Sequence, residues 1–171
     1  DDSRTTLGTG LSTARMRMAG AANSGTAAYF AGGYEAAWVT TVDKFAFSDD
    51  SRTTLGTGLS VARGYLAGAA NSGTAAYFAG GTTGSNSATV DKFAFSDDSR
   101  TTLASGLSAA RNYLAGAADS GTAAYYAGGY ESGNVATVDK FAFSDDSRTT
   151  LGTGLSAARR YLAGAANSGV L

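Results

Sequence analysis

A chain of 171 residues with 13 basic and 14 acidic side chains has too little net charge to attract nucleic acid or an anionic membrane surface. It contains no cysteine and no histidine, which excludes a disulfide framework, a thiolate nucleophile and the commonest ligands of transition metals. No apolar run approaches the roughly 18 residues of a membrane-spanning helix. We expect neither a cofactor nor a metal site, and the cellular compartment is not indicated.

A repeat unit recurs along the chain at a constant interval. The segment DKFAFSDD begins at Asp43, Asp91 and Asp139, and an arginine returns at the same interval. The single domain, residues 1–171, therefore consists of three units and a partial fourth: 1–48, 49–96, 97–144 and 145–171.

Each unit holds four short runs rich in Thr, Val, Tyr and Phe, separated by Gly, Asn, Asp and Ser, which predicts β-strands. In the first unit the runs a, b, c and d start at Arg15, Thr26, Thr40 and Arg52. Run a is small at its centre (Ala-Gly-Ala-Ala), as suits strands that converge on an axis, and the aromatic residues of runs b and c are expected to pack between neighbouring sheets.

Four short strands in a unit of this length are typical of a β-propeller blade. The sequence thus predicts an all-β fold, a partial propeller of about 3.5 four-stranded antiparallel blades. A parallel β-helix with two coils per unit is the alternative.

The motif order also resembles the kelch repeat. A double glycine ends run b, an aromatic residue stands near the end of run c, and an arginine opens the next unit, as in Gly32-Gly33, Phe47 and Arg63. The resemblance covers nearly the whole chain and implies a galactose-oxidase-like propeller. Phe in place of Tyr, and Leu near the usual Trp, depart from the familiar pattern.

Three and a half blades do not close a ring, for which four to eight are typical. We expect the remaining blades to come from a longer parent chain, of which this sequence is a fragment, or from homo-oligomerisation. The parent chain is favoured because a simple head-to-tail junction of two copies would lack runs b and c.

Differences between the copies cluster in two places. The b–c loop reads YEAAWV at 34–39, TTGSNS at 82–87 and YESGNV at 130–135, and the two residues after each unit arginine also change. Since strand direction alternates within a blade, the b–c loops and the d–a connections emerge together on what we call the variable face. The a–b turns (NSG) and c–d turns (SDDS) form the opposite, constant face.

Loops on a rigid scaffold are where binding residues concentrate. The candidates on the variable face are Tyr34, Glu35, Trp38, Asn86, Tyr130, Glu131, Asn134, Arg17 and Arg160. Trp38, the only tryptophan, is the best candidate for a ligand anchor; alternatively it packs over a blade edge. For the whole set, the alternative is sequence drift without function.

The unit arginines are further binding candidates: Arg15, Arg63, Arg111 and Arg159. The kelch resemblance implies that such positions line the mouth of the channel. Alternatively, their five donors tie adjacent blades by bonding carbonyl groups or the aspartates that open run c. In the SDDSR segments we expect the aspartates to cap the turn, with the adjacent arginine as their partner, rather than to bind calcium.

These features favour a non-enzymatic module that recognises a protein partner through the variable face. A glycan-binding adhesin, or a virion or cell-surface fibre module, is the alternative. An oxidase or hydrolase is less favoured, because the copper site of galactose oxidase requires His and Cys and no carboxylate pair stands apart from the repeats.

Overall fold

A computed structural model describes residues 4–165, in which all regular elements are β-strands. Twelve strands form three antiparallel sheets, one per repeat unit, and each sheet keeps its strands in chain order. The first comprises β1 (Ala19–Asn23), β2 (Ala27–Ala31), β3 (Val42–Ala46) and β4 (Arg52–Thr54). The second comprises β5 (Ala67–Asn71), β6 (Ala75–Ala79), β7 (Val90–Ala94) and β8 (Arg100–Thr102). The third comprises β9 (Ala115–Asp119), β10 (Ala123–Ala127), β11 (Val138–Ala142) and β12 (Arg148–Thr150).

This arrangement confirms the predicted partial propeller of four-stranded blades at a regular spacing along the chain. The strands are shorter than the runs that predicted them. Strand β1 begins at Ala19 rather than at Arg15, because the intervening segment pairs with the b–c loop through a bridge between Met16 and Tyr34. Gly32 and Gly33 end strand b with φ angles of 66° and 112°, a backbone conformation that favours glycine.

The innermost strands, β1, β5 and β9, lie side by side around the axis. A Cβ atom on Gly68 would collide with the carbonyl oxygen of Gly20, and one on Gly116 would collide with that of Gly68. The small residues of run a therefore permit a backbone-to-backbone approach that larger side chains would prevent, as predicted.

The hydrophobic core lies between blades. Tyr29 and Val42 of the first blade belong to one buried cluster with Phe78 and Phe93 of the second. The second and third blades repeat this arrangement with Tyr77, Val90, Tyr126 and Phe141. Burial of one such side chain stabilises a fold by about 1.5–3 kcal/mol, so the blades hold one another together, as the aromatic pattern predicted.

Side chains of the constant face connect neighbouring blades. The Asn23 Oδ1 atom accepts a hydrogen bond from the Gly73 N–H (2.8 Å), and Asn71 does the same for Gly121 (2.9 Å). Asp98 accepts hydrogen bonds from the Tyr29 hydroxyl at 2.7 Å and from Lys44 Nζ at 2.9 Å. Burial, together with the bond to this carboxylate, raises the pKa of Tyr29 to about 12.

The prediction for the SDDSR segments is confirmed for the first aspartate and wrong for its arginine. Asp97 caps its turn by accepting from the Ser99 N–H (3.0 Å). The second aspartate, Asp98, contacts the preceding blade, and Arg100 donates to the Gly58 carbonyl (2.9 Å) instead of to the turn. The reason is geometric: strand d carries its arginine away from the turn and toward the connection that leads into its own blade, between β4 and β5.

None of residues 4–165 belongs to a helix with the length and hydropathy needed to cross a membrane.

Candidate functional site: the variable face

The b–c loops and the d–a connections lie together on one face, as the strand directions predicted. Tyr34 and Met16 exchange backbone hydrogen bonds (3.1 and 2.8 Å), and Thr82 with Gly64 and Tyr130 with Asn112 do the same in the other blades. The variable positions of each unit are therefore neighbours in space, although strands a and b lie between them in the sequence.

The three b–c loops share one backbone structure. The second residue of each loop donates to the carbonyl of the fourth at 3.0 Å: Glu35 to Ala37, Thr83 to Ser85 and Glu131 to Gly133. The N–H of the sixth residue donates to the carbonyl of the second glycine that precedes the loop: Val39 to Gly33 (3.0 Å), Ser87 to Gly81 (2.9 Å) and Val135 to Gly129 (3.0 Å). No loop position carries the same residue in all three copies. The side chains therefore differ on a backbone that does not.

Backbone hydrogen bonds also connect the blades at this face. The Gly33 N–H donates to the Arg63 carbonyl of the next blade (3.0 Å), and Gly81 donates to Arg111 (2.9 Å). Nearer the axis, the Tyr65 N–H donates to the Arg17 carbonyl (2.8 Å) and the Tyr113 N–H to the Tyr65 carbonyl (3.0 Å). Because main-chain groups make these connections, they do not depend on which side chains the loops carry.

Three of the unit arginines lie buried beneath the variable face and bond backbone carbonyls and the aspartates of run c. Arg63 is fully buried and donates to Asp91 (2.9 Å) and to the carbonyls of Gly80 (2.9 Å) and Phe78 (3.0 Å). Burial alone would raise the pKa of Asp91, but bonds from Thr102, from Ser60 and from the guanidinium hold it below its ordinary value.

The other unit arginines follow the same pattern up to the end of the chain. Arg111 repeats the contacts with Asp139 (2.9 Å), and Arg15 pairs with Asp43 (2.8 Å). Arg159 is exposed, and its side chain contacts Ser156 (3.2 Å). The predicted carbonyl and aspartate contacts are thus confirmed for Arg15, Arg63 and Arg111. The predicted tie between adjacent blades is wrong for these side chains, because every partner belongs to the arginine's own blade.

Trp38 lies in an aromatic cluster where the first two blades meet. Its indole ring packs edge-to-face on Tyr34 (4.9 Å between centroids) and near Tyr65 (6.0 Å). The Arg17 guanidinium sits 4.6 Å from the Tyr65 ring centroid and 5.5 Å from that of Tyr34. A Cβ atom on Gly64 would lie 2.5 Å from the nearest indole carbon, so the small residue provides the space that Trp38 occupies. The half-buried Trp38 therefore packs on the next blade, which was one of the two predictions, with Arg17 exposed above it.

The equivalent positions in the other loops are polar. The Asn86 amide donates to the carbonyls of Tyr130 and Glu131 in the next blade, each at 3.0 Å. Asn134 is exposed and Glu131 half-buried. Arg160 lies 4.7 Å from the Tyr130 ring centroid, so a second aromatic–arginine patch forms beside the third loop.

The predicted residues form two patches rather than one site. The first contains Arg17, Tyr34 and Trp38, with Glu35 accepting a hydrogen bond from the Thr13 hydroxyl at its margin. The second contains Tyr130 and Arg160, and Asn86 connects the second loop to it through the carbonyls of the third.

A stack of tyrosines joins these patches, and sequence reasoning did not select it. Tyr65, Tyr113 and Tyr161 follow one another with centroids 4.0 and 4.4 Å apart and, together with Arg17, line a depression of about 180 Å³ near the axis. Burial and the neighbouring phenols raise the pKa of Tyr113. The sequence did contain a signal for this stack: the three tyrosines recur at the repeat interval, and equivalent positions of successive blades lie next to one another near the axis.

These tyrosines adopt a backbone conformation that disfavours them. Their φ angles are 55°, 56° and 58°, in the left-handed region, where a residue other than glycine costs about 1–2 kcal/mol. Glycine occupies ten other positions of positive φ among the described residues. Strained backbone of this kind concentrates at functional sites, and here it presents phenol rings that glycine would not supply.

The fold and this face define a propeller-type repeat protein. Comparison with models of known protein families found no match, and no curated protein is significantly similar to the chain.

Proposed function

We propose that the chain is a non-catalytic, kelch-like binding module that recognises a protein partner through the variable face. The observation that carries this proposal is the constant backbone of the b–c loops, although no loop position carries the same residue in all three copies. If the loop sequences had drifted because nothing constrained them, the backbone would have been as free to change as the side chains.

The residue types of the face support a protein partner. Tryptophan, tyrosine and arginine dominate the binding energy of protein interfaces, because they present large, rigid surfaces with a polar group attached. The variable face places Trp38, Arg17 and the tyrosine stack side by side at the boundary between the first and second blades. The patch is also preorganised: the rings pack on one another, so less side-chain entropy is lost when a partner binds.

The two patches differ in a way that favours recognition of one extended partner. Trp38 and Tyr34 give the first patch the larger aromatic surface, with Arg17 over it, whereas Asn86, Asn134 and Glu131 give the rest of the face hydrogen-bonding groups. An interface with an aromatic centre and a polar rim is the usual arrangement of protein–protein contacts.

A displayed library of random peptides, selected on the immobilised protein, tests the proposal. We expect enriched peptides to lose affinity by about 30-fold or more on Tyr34→Ala and Trp38→Ala, corresponding to the roughly 2 kcal/mol of a binding hot spot. Thr83→Ala, in an exposed position of the second loop, is the matched control and should leave affinity within about twofold.

A glycan array probed with the same protein distinguishes the alternative. Binding to glycans, without peptides that depend on Trp38, would replace the proposal with a glycan-binding module. Peptide binding that is indifferent to both aromatic substitutions would contradict the assignment of the site.

A further inference from the structure

Two opposite surfaces of the molecule are the complementary halves of one blade–blade interface. Each internal interface joins a tyrosine and a lysine of one blade to a phenylalanine and an aspartate of the next. Between the first two blades, Tyr29 packs on Phe95 (5.1 Å between centroids), and Asp98 accepts from Tyr29 and Lys44. The interface between the second and third blades repeats these contacts. Tyr77 packs on Phe143 with ring centroids 5.2 Å apart, and Asp146 accepts hydrogen bonds from the Tyr77 hydroxyl (2.8 Å) and from Lys92 Nζ (2.7 Å).

The first blade exposes the acceptor half of this interface. Phe47 and Asp50 are the equivalents of Phe95 and Asp98, and both are exposed, Phe47 to 48%. They border a groove of about 510 Å³ whose apolar lining is Leu7, Leu11, Met18, Ala28, Phe30 and Phe45. In the second blade, the equivalents of Phe30 and Phe45 are fully buried.

The third blade carries the donor half, which no further blade covers among the described residues and whose tyrosine and lysine are half-buried. Tyr125 and Lys140 are the equivalents of Tyr29 and Lys44, and Lys140 Nζ lies 5.9 Å from the Tyr125 ring centroid, much as Lys44 does from Tyr29 at 5.4 Å. On the constant face, Asp119 replaces Asn23 and Asn71, whose side-chain oxygens accept from the next blade. An aspartate keeps that acceptor oxygen.

We infer that two copies of this chain associate head to tail, the Tyr125–Lys140 surface of one copy covering the Phe47–Asp50 surface of the other. The charges are complementary, since Lys140 of one copy meets Asp50 of the other as Lys44 meets Asp98. Two such interfaces close a ring of six blades, within the usual range of four to eight.

The terminal segments decide how the copies fit. Residues 8–21 and 152–165 are the same part of the repeat unit, so in this arrangement both compete for one place on the third blade. Within one chain, residues 152–165 occupy this position, with Leu155 and Leu162 next to Gly128 of the third blade. Arg15 anchors the first segment to its own blade through Asp43, whereas Arg159 is exposed. Residues 8–21 of the second copy therefore displace residues 152–165 of the first, so that the segment leading into strand a is present only once at the new interface.

Light scattering coupled to size-exclusion chromatography tests the association. We expect the mass of a dimer, twice the 17.1 kDa of one chain. Asp50→Lys and Lys140→Asp should each give the monomer, and the double variant Asp50→Lys/Lys140→Asp should restore the dimer. Asp49→Lys, in the same turn but directed at Ser51, is the matched control and should remain dimeric. Circular dichroism confirms that each variant is folded.

Restoration by the double variant makes the test independent of any folding defect in the single ones. The mass of a single chain at every concentration would overturn the inference, as would a dimer that is indifferent to Asp50→Lys or one that the double variant fails to restore.

A second pair of variants tests the exchange of segments. Leu11→Ala removes an apolar contact from the second copy and should weaken association by about tenfold. Leu155→Ala loosens the segment that must leave and should strengthen association. If Leu155→Ala weakened association instead, the exchange and the interface built on it would be overturned.

Discussion

The two faces of the propeller are held together by different parts of the chain. On the constant face, side chains connect the blades, as Asn23 does with Gly73 and Asp98 does with Tyr29 and Lys44. On the variable face, the connections that recur from blade to blade are made by main-chain groups, as between Gly33 and Arg63 and between Tyr65 and Arg17. Side chains add contacts there that differ between the loops, as Trp38 does on the second blade and Asn86 on the third. A face whose recurring connections are made by side chains must repeat its sequence in every unit, whereas one whose recurring connections are made by the backbone leaves its side chains free to vary.

The largest effect is expected at the buried arginine that supports the variable face. Arg63→Met leaves Asp91 buried without its cationic partner, and loss of one member of a buried ion pair destabilises by about 3–5 kcal/mol. Arg159→Met is the matched control at the exposed equivalent and should change the free energy of unfolding by less than about 0.5 kcal/mol. Urea denaturation measures both, and equal effects would contradict the structural role of the buried arginine.

A smaller effect is expected from a charge on the constant face. Asp98→Asn keeps the shape and the tolerance for the left-handed φ of 57° but removes the charge that binds Lys44, which should destabilise by about 1–2 kcal/mol. Glu131→Gln removes a carboxylate from the variable face and should alter stability by less than about 0.5 kcal/mol. Urea denaturation again measures both. If the two substitutions lowered the free energy of unfolding equally, the two faces would not differ as described.

Much of this architecture could be predicted from the repeat itself. The constant period and the four runs predicted the blades, and alternating strand direction predicted that the b–c loops and d–a connections share a face. The aspartates that bond the unit arginines were identifiable, because both recur at a fixed position in every unit.

The contacts that depend on the angle between blades could not be predicted. Asp98 meets Tyr29 although the two are far apart in sequence, and Trp38 fills the space above Gly64 in the next blade. Neither pairing follows from local pattern, since it depends on how the sheets fan around the axis. The constant backbone of the loops could not be predicted either, because no loop position carries the same residue in all three copies.

The most direct test of the account is an exchange of loops within the chain. Replacing YEAAWV at 34–39 by TTGSNS puts the second loop on the first blade, where the backbone can form the hydrogen bonds that this loop makes in the second blade. We predict that the exchange lowers the free energy of unfolding by no more than about 1–2 kcal/mol, the contribution of the half-buried Trp38, because the backbone hydrogen bonds of the face remain. We also predict that the variant no longer binds peptides selected on the unchanged protein. A variant that unfolds far more easily, or that still binds those peptides unchanged, would contradict the claim that backbone supports this face and side chains give it its specificity.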